Sequence, residues 1–75
     1  MRVVVNSNTE KHLGDLASGD IFRFEEKDDY YLFLATRNDE YRHYEIFNLC
    51  TNVLSLEDDG CMRVISFPNA VIQIR

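Results

Sequence analysis

The stretch Tyr30-Tyr31-Leu32-Phe33-Leu34-Ala35-Thr36 decides the fold. Every residue in it is apolar, aromatic or β-branched. Polar and charged runs bound it, Asp28-Asp29 before and Arg37-Asn38-Asp39-Glu40 after. The run has the length of a strand and is short for a helix, and its residue types suit a pleated surface. Leu32 and Leu34 share one face, and Tyr31, Phe33 and Ala35 the other. A strand that is apolar on both faces is covered on both, so this segment is expected at the centre of a sheet.

The period of two continues on either side. Upstream, Ile21-Phe22-Arg23-Phe24 puts both Phe on one face, and Glu25-Glu26-Lys27-Asp28-Asp29 reads as a charged hairpin tip. Downstream, residues 41–49 alternate, with Tyr44 and Ile46 opposite Tyr41, His43 and Phe47. Cys50-Thr51-Asn52 is a tight connection into a strand at 53–56, and Glu57-Asp58-Asp59-Gly60 is a further acidic tip. Met62, Val64 and Ser66 alternate with Cys61, Arg63, Ile65 and Phe67. Pro68-Asn69 turns the chain, because Pro has no N–H for a ladder, and residues 70–74 form a last strand. At the other end, Val3, Val4 and Val5 read as a first strand or arm. Leu13, Leu16 and Ala17 recur at helical spacing, which predicts a short helix or 3₁₀ turn over residues 10–17, ended by Ser18-Gly19-Asp20. About six short strands with charged turns predict an all-β fold, a small SH3-like barrel of five to six antiparallel strands with one short helical turn. Residues 1–75 make one domain, with 1–11 as an N-terminal strand or arm.

Thirteen acidic residues against eight basic ones leave a formal charge of −5. That balance argues against a partner bound by neutralising phosphates and against an anionic membrane surface. It suits a basic protein partner. No segment approaches the ~20 apolar residues that span a bilayer, and the first residues lack a signal-peptide pattern. Cys50 and Cys61 are the only cysteines and form no CxxC pair. A reducing cytoplasm with both thiols free is therefore expected.

Asp15-Leu16-Ala17-Ser18-Gly19-Asp20-Ile21-Phe22, within the run from Leu13 to Phe24, resembles the "DLxxGDxF" opening of small β-barrel proteins of phages and other mobile elements. Phe47-Asn48-Leu49 before a hairpin and Phe67-Pro68-Asn69-Ala70-Val71 near the end resemble the closing segments of the same proteins. The likeness runs from Leu13 onward. The extra segment 1–11 and the long connection between Leu54 and Met62 depart from it. The resemblance implies a barrel and a phage-like setting, and no catalytic residue.

The residues offer little chemistry of their own. Cys50 and His43 are a nucleophile and a base by type, but no third orienting group or oxyanion loop accompanies them, so no enzyme and no catalytic residue are expected. His12, His43, Cys50 and Cys61 lack the paired spacing of a zinc site, and residues 57–64 lack the alternating oxygen ligands of a calcium loop. No metal and no cofactor are expected. The acids are the remaining feature. Glu25, Glu26, Asp28 and Asp29 form one cluster, Asp39 and Glu40 a second, and Glu57, Asp58 and Asp59 a third, all at turns. The first and third are expected at one end of the barrel, as a single acidic face. Tyr30 and Tyr41 are the aromatic candidates beside it, since Tyr is enriched at protein interfaces.

These features point to a non-catalytic, phage-type protein-binding module. Its most concrete form is an acidic anti-defence inhibitor docking on a host defence or nucleic-acid enzyme in the host cytoplasm. Two other classes stay open. One is a self-associating accessory protein whose Val3, Val4 and Val5 add a strand to another chain. The other is a barrel that stacks single-stranded bases on its Tyr side chains.

Overall fold

The computed structural model describes residues 2–4 and 8–73, with side chains described from 8 to 70. Eight strands follow one another along the chain: β1 (Arg2–Val4), β2 (Thr9–His12), β3 (Ile21–Phe24), β4 (Tyr31–Asn38), β5 (Arg42–Asn48), β6 (Val53–Glu57), β7 (Arg63–Ser66) and β8 (Val71–Gln73). A single 3₁₀ turn, Leu13–Asp15, follows β2. Six strands form one antiparallel sheet in the order β2-β7-β3-β4-β5-β6, and β1 and β8 form a separate two-stranded ribbon.

The strand Tyr31–Asn38 lies inside the sheet, with β3 on one side and β5 on the other. Its neighbours align Phe22 with Tyr31, Phe33 with Ile46, and Phe24 with Val64 on β7. Those side chains, with Leu13, Leu16 and Tyr44, make the main core. Phe22, Phe24 and Tyr31 pack ring on ring with centroids 5.1 to 5.6 Å apart. Aromatic pairs in edge-on or stacked geometry add to what burial alone supplies. The opposite face carries a smaller cluster of Ile21, Leu49 and Phe67, with Tyr30, Leu32, Phe47 and Ile65 packed against it.

The sheet is rolled. Leu13, directly after the edge strand β2, shares a core cluster with Tyr44 and Ile46 of β5. Four strand spacings in a flat sheet would hold β2 and β5 roughly 19 Å apart. The roll brings them together around one interior, which is the small-barrel solution. A bulge helps it: the β4–β5 register shifts between Phe33 and Ala35, which leaves Leu34 without a partner on β5 and bends the strand. The turn at 17–20 fits that bend. Asp20 N–H donates to Ala17 O (3.0 Å), Gly19 N–H donates to Phe33 O (2.8 Å), and the Ser18 hydroxyl donates to Leu34 O. Gly19 has φ of 94°, which a side chain would strain.

One sequence expectation changes. Residues 10–12 extend as a strand along β7, with Glu10 beside Ile65 and Lys11 beside Val64. The helical spacing of Leu13 and Leu16 survives only as one 3₁₀ turn, because β7 offers residues 10–12 a ladder that a lone turn of helix cannot match. Val3 and Val4, read as a first strand or arm, form β1 and pair with Ile72 and Val71 of the same chain. Val5 lies outside the described residues.

Two contacts hold the connections. Gly60 passes so close to Tyr44 that a Cβ there would overlap the phenol oxygen, and Gly14, beside it, donates its N–H to Gly60 O (2.9 Å). Asn48 is buried at the end of β5. Its Oδ1 accepts from the N–H groups of Cys50 (2.8 Å) and Thr51 (3.0 Å), and its Nδ2 donates to Asp29 Oδ2 (3.1 Å). One amide thus ties the β5–β6 turn to the β3–β4 loop.

Gly60→Ala should cost about 1–3 kcal/mol in urea unfolding through overpacking, and Tyr44→Phe in the same chain should restore part of that loss by removing the overlapping oxygen. Asn48→Ala should cost about 2–3 kcal/mol, because it strands two N–H groups and a carboxylate. Asn48→Asp keeps the acceptor but sets a second carboxylate beside Asp29. One of the two then has its folded pKa raised, so the deficit should grow as pH rises from about 4 to 7. Unfolding curves at the two pH values check the sign.

Candidate protein-binding surface

The register sorts the acidic turns between two ends. Tyr31 pairs with Asn48 and Asn48 with Val53, so the β3–β4 loop and the β5–β6 turn share one end. Asn38 pairs with Arg42 and Tyr44 with Glu57, so residues 39–41 and the segment leaving β6 share the other. Glu57 therefore lies on the side of the second cluster, while the chain from Asp59 runs on to Met62 and Arg63, beside Glu25. The connection at 50–52, which carries no charge, takes the place that simple alternation of acidic tips assigned to a charged one.

At the first end, three of the four acids are exposed. Asp29 is half-buried against Asn48. Glu25 and Glu26 are exposed, as is Asp28. Glu25 and Glu26 line a shallow groove of about 280 Å³ with Lys27, Arg63 and the apolar Phe24 and Met62. A second groove of about 240 Å³ brings Glu25 and Arg63 together with Glu10, Lys11, His12 and Asp15. Charges of both signs alternate in these grooves. Lys27 also lies over the Phe24 ring, 5.5 Å from its centroid. Tyr30 is half-buried, with its ring edge-on to Phe67 at 5.4 Å. It packs against the smaller core cluster.

At the second end, Asp39 and Glu40 are exposed and Glu57 is half-buried; Asp58 and Asp59, further along, are exposed. The Asn38–Arg42 rung stands two residues beyond the Tyr44–Glu57 rung, so the hairpin tip projects roughly 7 Å past the end of β6. Two bases stand nearby, one of them paired with an acid. Arg37 Nε donates to Glu45 Oε1 at 2.9 Å, and that bond and charge hold its guanidinium above its ordinary pKa. Arg42 Nε donates to Asn38 Oδ1 at 3.1 Å. Asp59 Oδ1 accepts from Cys61 N–H (2.9 Å), which fixes the turn but leaves the carboxylate in solvent.

Tyr41 follows Asp39 and Glu40 at the hairpin tip. It is 59% exposed, and its ring leans on the His43 imidazole with centroids 5.2 Å apart. His43 is itself mostly covered, with Asp39 Oδ2 at 4.0 Å and Tyr41 O at 3.3 Å from its two ring nitrogens. Tyr31 and Tyr44 are buried in the core. Of the four tyrosines, Tyr41 is exposed and Tyr30 half-buried.

His43 and Cys50 lie at opposite ends of β5, roughly 20 Å apart by strand rise. Cys50 and Cys61 are both free and exposed. Among the described residues no three His, Cys, Asp or Glu side chains gather as a metal-binding group, and no helix is long and apolar enough to cross a membrane. Sequence reasoning missed one feature: Val53, Leu54 and Leu56 on β6 are each more than half exposed. The uncharged run Val53-Leu54-Ser55-Leu56 was the available signal, but nothing local marks a strand as an edge. Comparison of the chain with protein-family models, curated proteins and solved structures finds no match.

Proposed function

We propose that the chain is a non-catalytic protein-binding module, an acidic inhibitor of phage type that docks on a basic surface of a host defence or nucleic-acid enzyme in the host cytoplasm. The observation that carries this reading is the acidic end around Tyr41. Asp39 and Glu40 precede one exposed aromatic ring whose support, His43, is already in place, and Glu57 ends the neighbouring strand on the same side. Tyrosine anchors are enriched among interface hot spots. A ring held in position before binding loses less freedom on docking. The overall charge of −5 speeds encounter with a basic partner. The first acidic cluster contributes less, because Lys27 and Arg63 stand among its carboxylates.

Immobilised protein exposed to host lysate at low salt should retain one basic protein, and release it as salt rises toward about 0.5 M, where charges are screened within a few ångström. A chain carrying Asp39→Asn, Glu40→Gln, Tyr41→Ala, Asp58→Asn and Asp59→Asn should lose that protein, while Glu25→Gln with Glu26→Gln should keep it. Equal retention by both variants removes the acidic end from the reading. Retention of nothing by the native chain removes the inhibitor.

A further inference from the structure

The two edges of the six-stranded sheet differ in kind. At β2 the edge carries Glu10 and Lys11 and exposes Thr9, Glu10 and His12. Charges of that sort discourage another strand from adding. At β6 the edge reads Val53-Leu54-Ser55-Leu56-Glu57, with no charge until its last residue, and among the described residues its only partner is β5. Leu54 and Leu56 share a face and are 56% and 55% exposed. Leu54 also continues an apolar row across the sheet, through Phe47 and Leu32 to Ile21. A free ladder edge backed by exposed leucines is a template for one more strand.

We infer that this strand is β6 of a second copy, paired antiparallel about a two-fold axis at Ser55. The argument is the sequence of the strand itself. Read outward from Ser55 in either direction, the first residue is leucine. Pairing about Ser55 sets Leu54 of each copy opposite Leu56 of the other, so four leucines meet on one face. Val53 falls opposite Glu57, and Asn52 beside Asp58, so no acid faces an acid. Other registers fail on the same residues. A centre at Leu56 puts Leu54 opposite Asp58, and a centre at Glu57 puts Glu57 opposite itself. A centre at Leu54 puts Leu56 against the Asn52 turn. The strand is therefore self-complementary in one register, as a two-fold interface requires. This rests on the edge strand and not on the acidic end, and the two differ in salt response. Each copy carries a charge of −5, so screening strengthens self-association while weakening a basic partner's grip.

Sedimentation of the purified chain across roughly 10–500 μM should show a monomer–dimer equilibrium that tightens with salt, in the affinity range of a small interface. Leu54→Lys with Leu56→Lys places like charges opposite each other and should weaken the dimer about tenfold or more. Leu54→Lys with Leu56→Glu places Lys opposite Glu in both rungs and should restore dimerisation. Circular dichroism of both variants should match the native chain, because the substituted side chains are exposed. A native chain that stays monomeric throughout overturns the inference. So does equal loss in both variants with the fold intact, or uptake of a different chain along β6 in preference to self-pairing.

Discussion

Val64 and Ser66 on β7 each have partners on both sides. Lys11 and Phe24 flank the first, and Thr9 and Phe22 the second. Both side chains are almost wholly buried. This strand, late in the sequence, lies between two early ones and turns a meander into a rolled sheet. Until it is in place, β2 has no ladder and the backbone groups of Leu13 and Gly14 lack their acceptors at Met62 and Gly60. Such pairings close long loops before they gain contacts, which makes them slow to form and cooperative once formed. The connection that delivers β7 must pass Tyr44, and Gly60 is the residue that lets it pass. The tyrosine ring fills the interior up to the backbone of the crossing chain, so packing and topology are fixed by one contact.

Much of this was legible in the residues. The run at 30–36 announced an interior strand, and Phe22 with Phe24, then Tyr44 with Ile46, announced its neighbours and their inward faces. The turns at Gly19, Cys50-Thr51-Asn52 and Pro68-Asn69 were equally plain, because each rests on local chemistry; Asn52 has φ of 59°, a conformation Asn tolerates well. What stayed hidden was long-range. Residues 10–12 carry no strand signal of their own and extend only because β7 lies alongside. The bulge at Leu34 answers to the curvature of the whole sheet. The partner of Val3 and Val4 is at the opposite end of the chain.

The candidate site divides in the same way. The sequence marked all three acidic clusters and the exposed Tyr41. It set the first and third at one end, an assignment that depends on counting turns, and the short neutral connection at 50–52 occupies one. It could not separate Tyr30 from Tyr41: both border strands, yet one ring packs on Phe67 while the other rests on His43. The apolar character of β6 was visible, but its exposure follows from strand order. Charge and apolar surface consequently lie close together at one corner of the molecule, where Glu57 ends the strand that carries the exposed leucines.

The ribbon of β1 and β8 has a topological consequence. Arg2 stands beside Gln73 and Val4 beside Val71, so the described path returns to where it started, about one strand spacing away. A path whose first and last described strands meet in a ladder is nearly a closed loop. Its order of elements can be rotated without altering the packing, with the ends joined by a few residues and new ones opened at an exposed turn such as Cys50-Thr51. The domain can equally be spliced into a surface loop of another protein through two adjacent attachment points, since entry and exit lie on the same side.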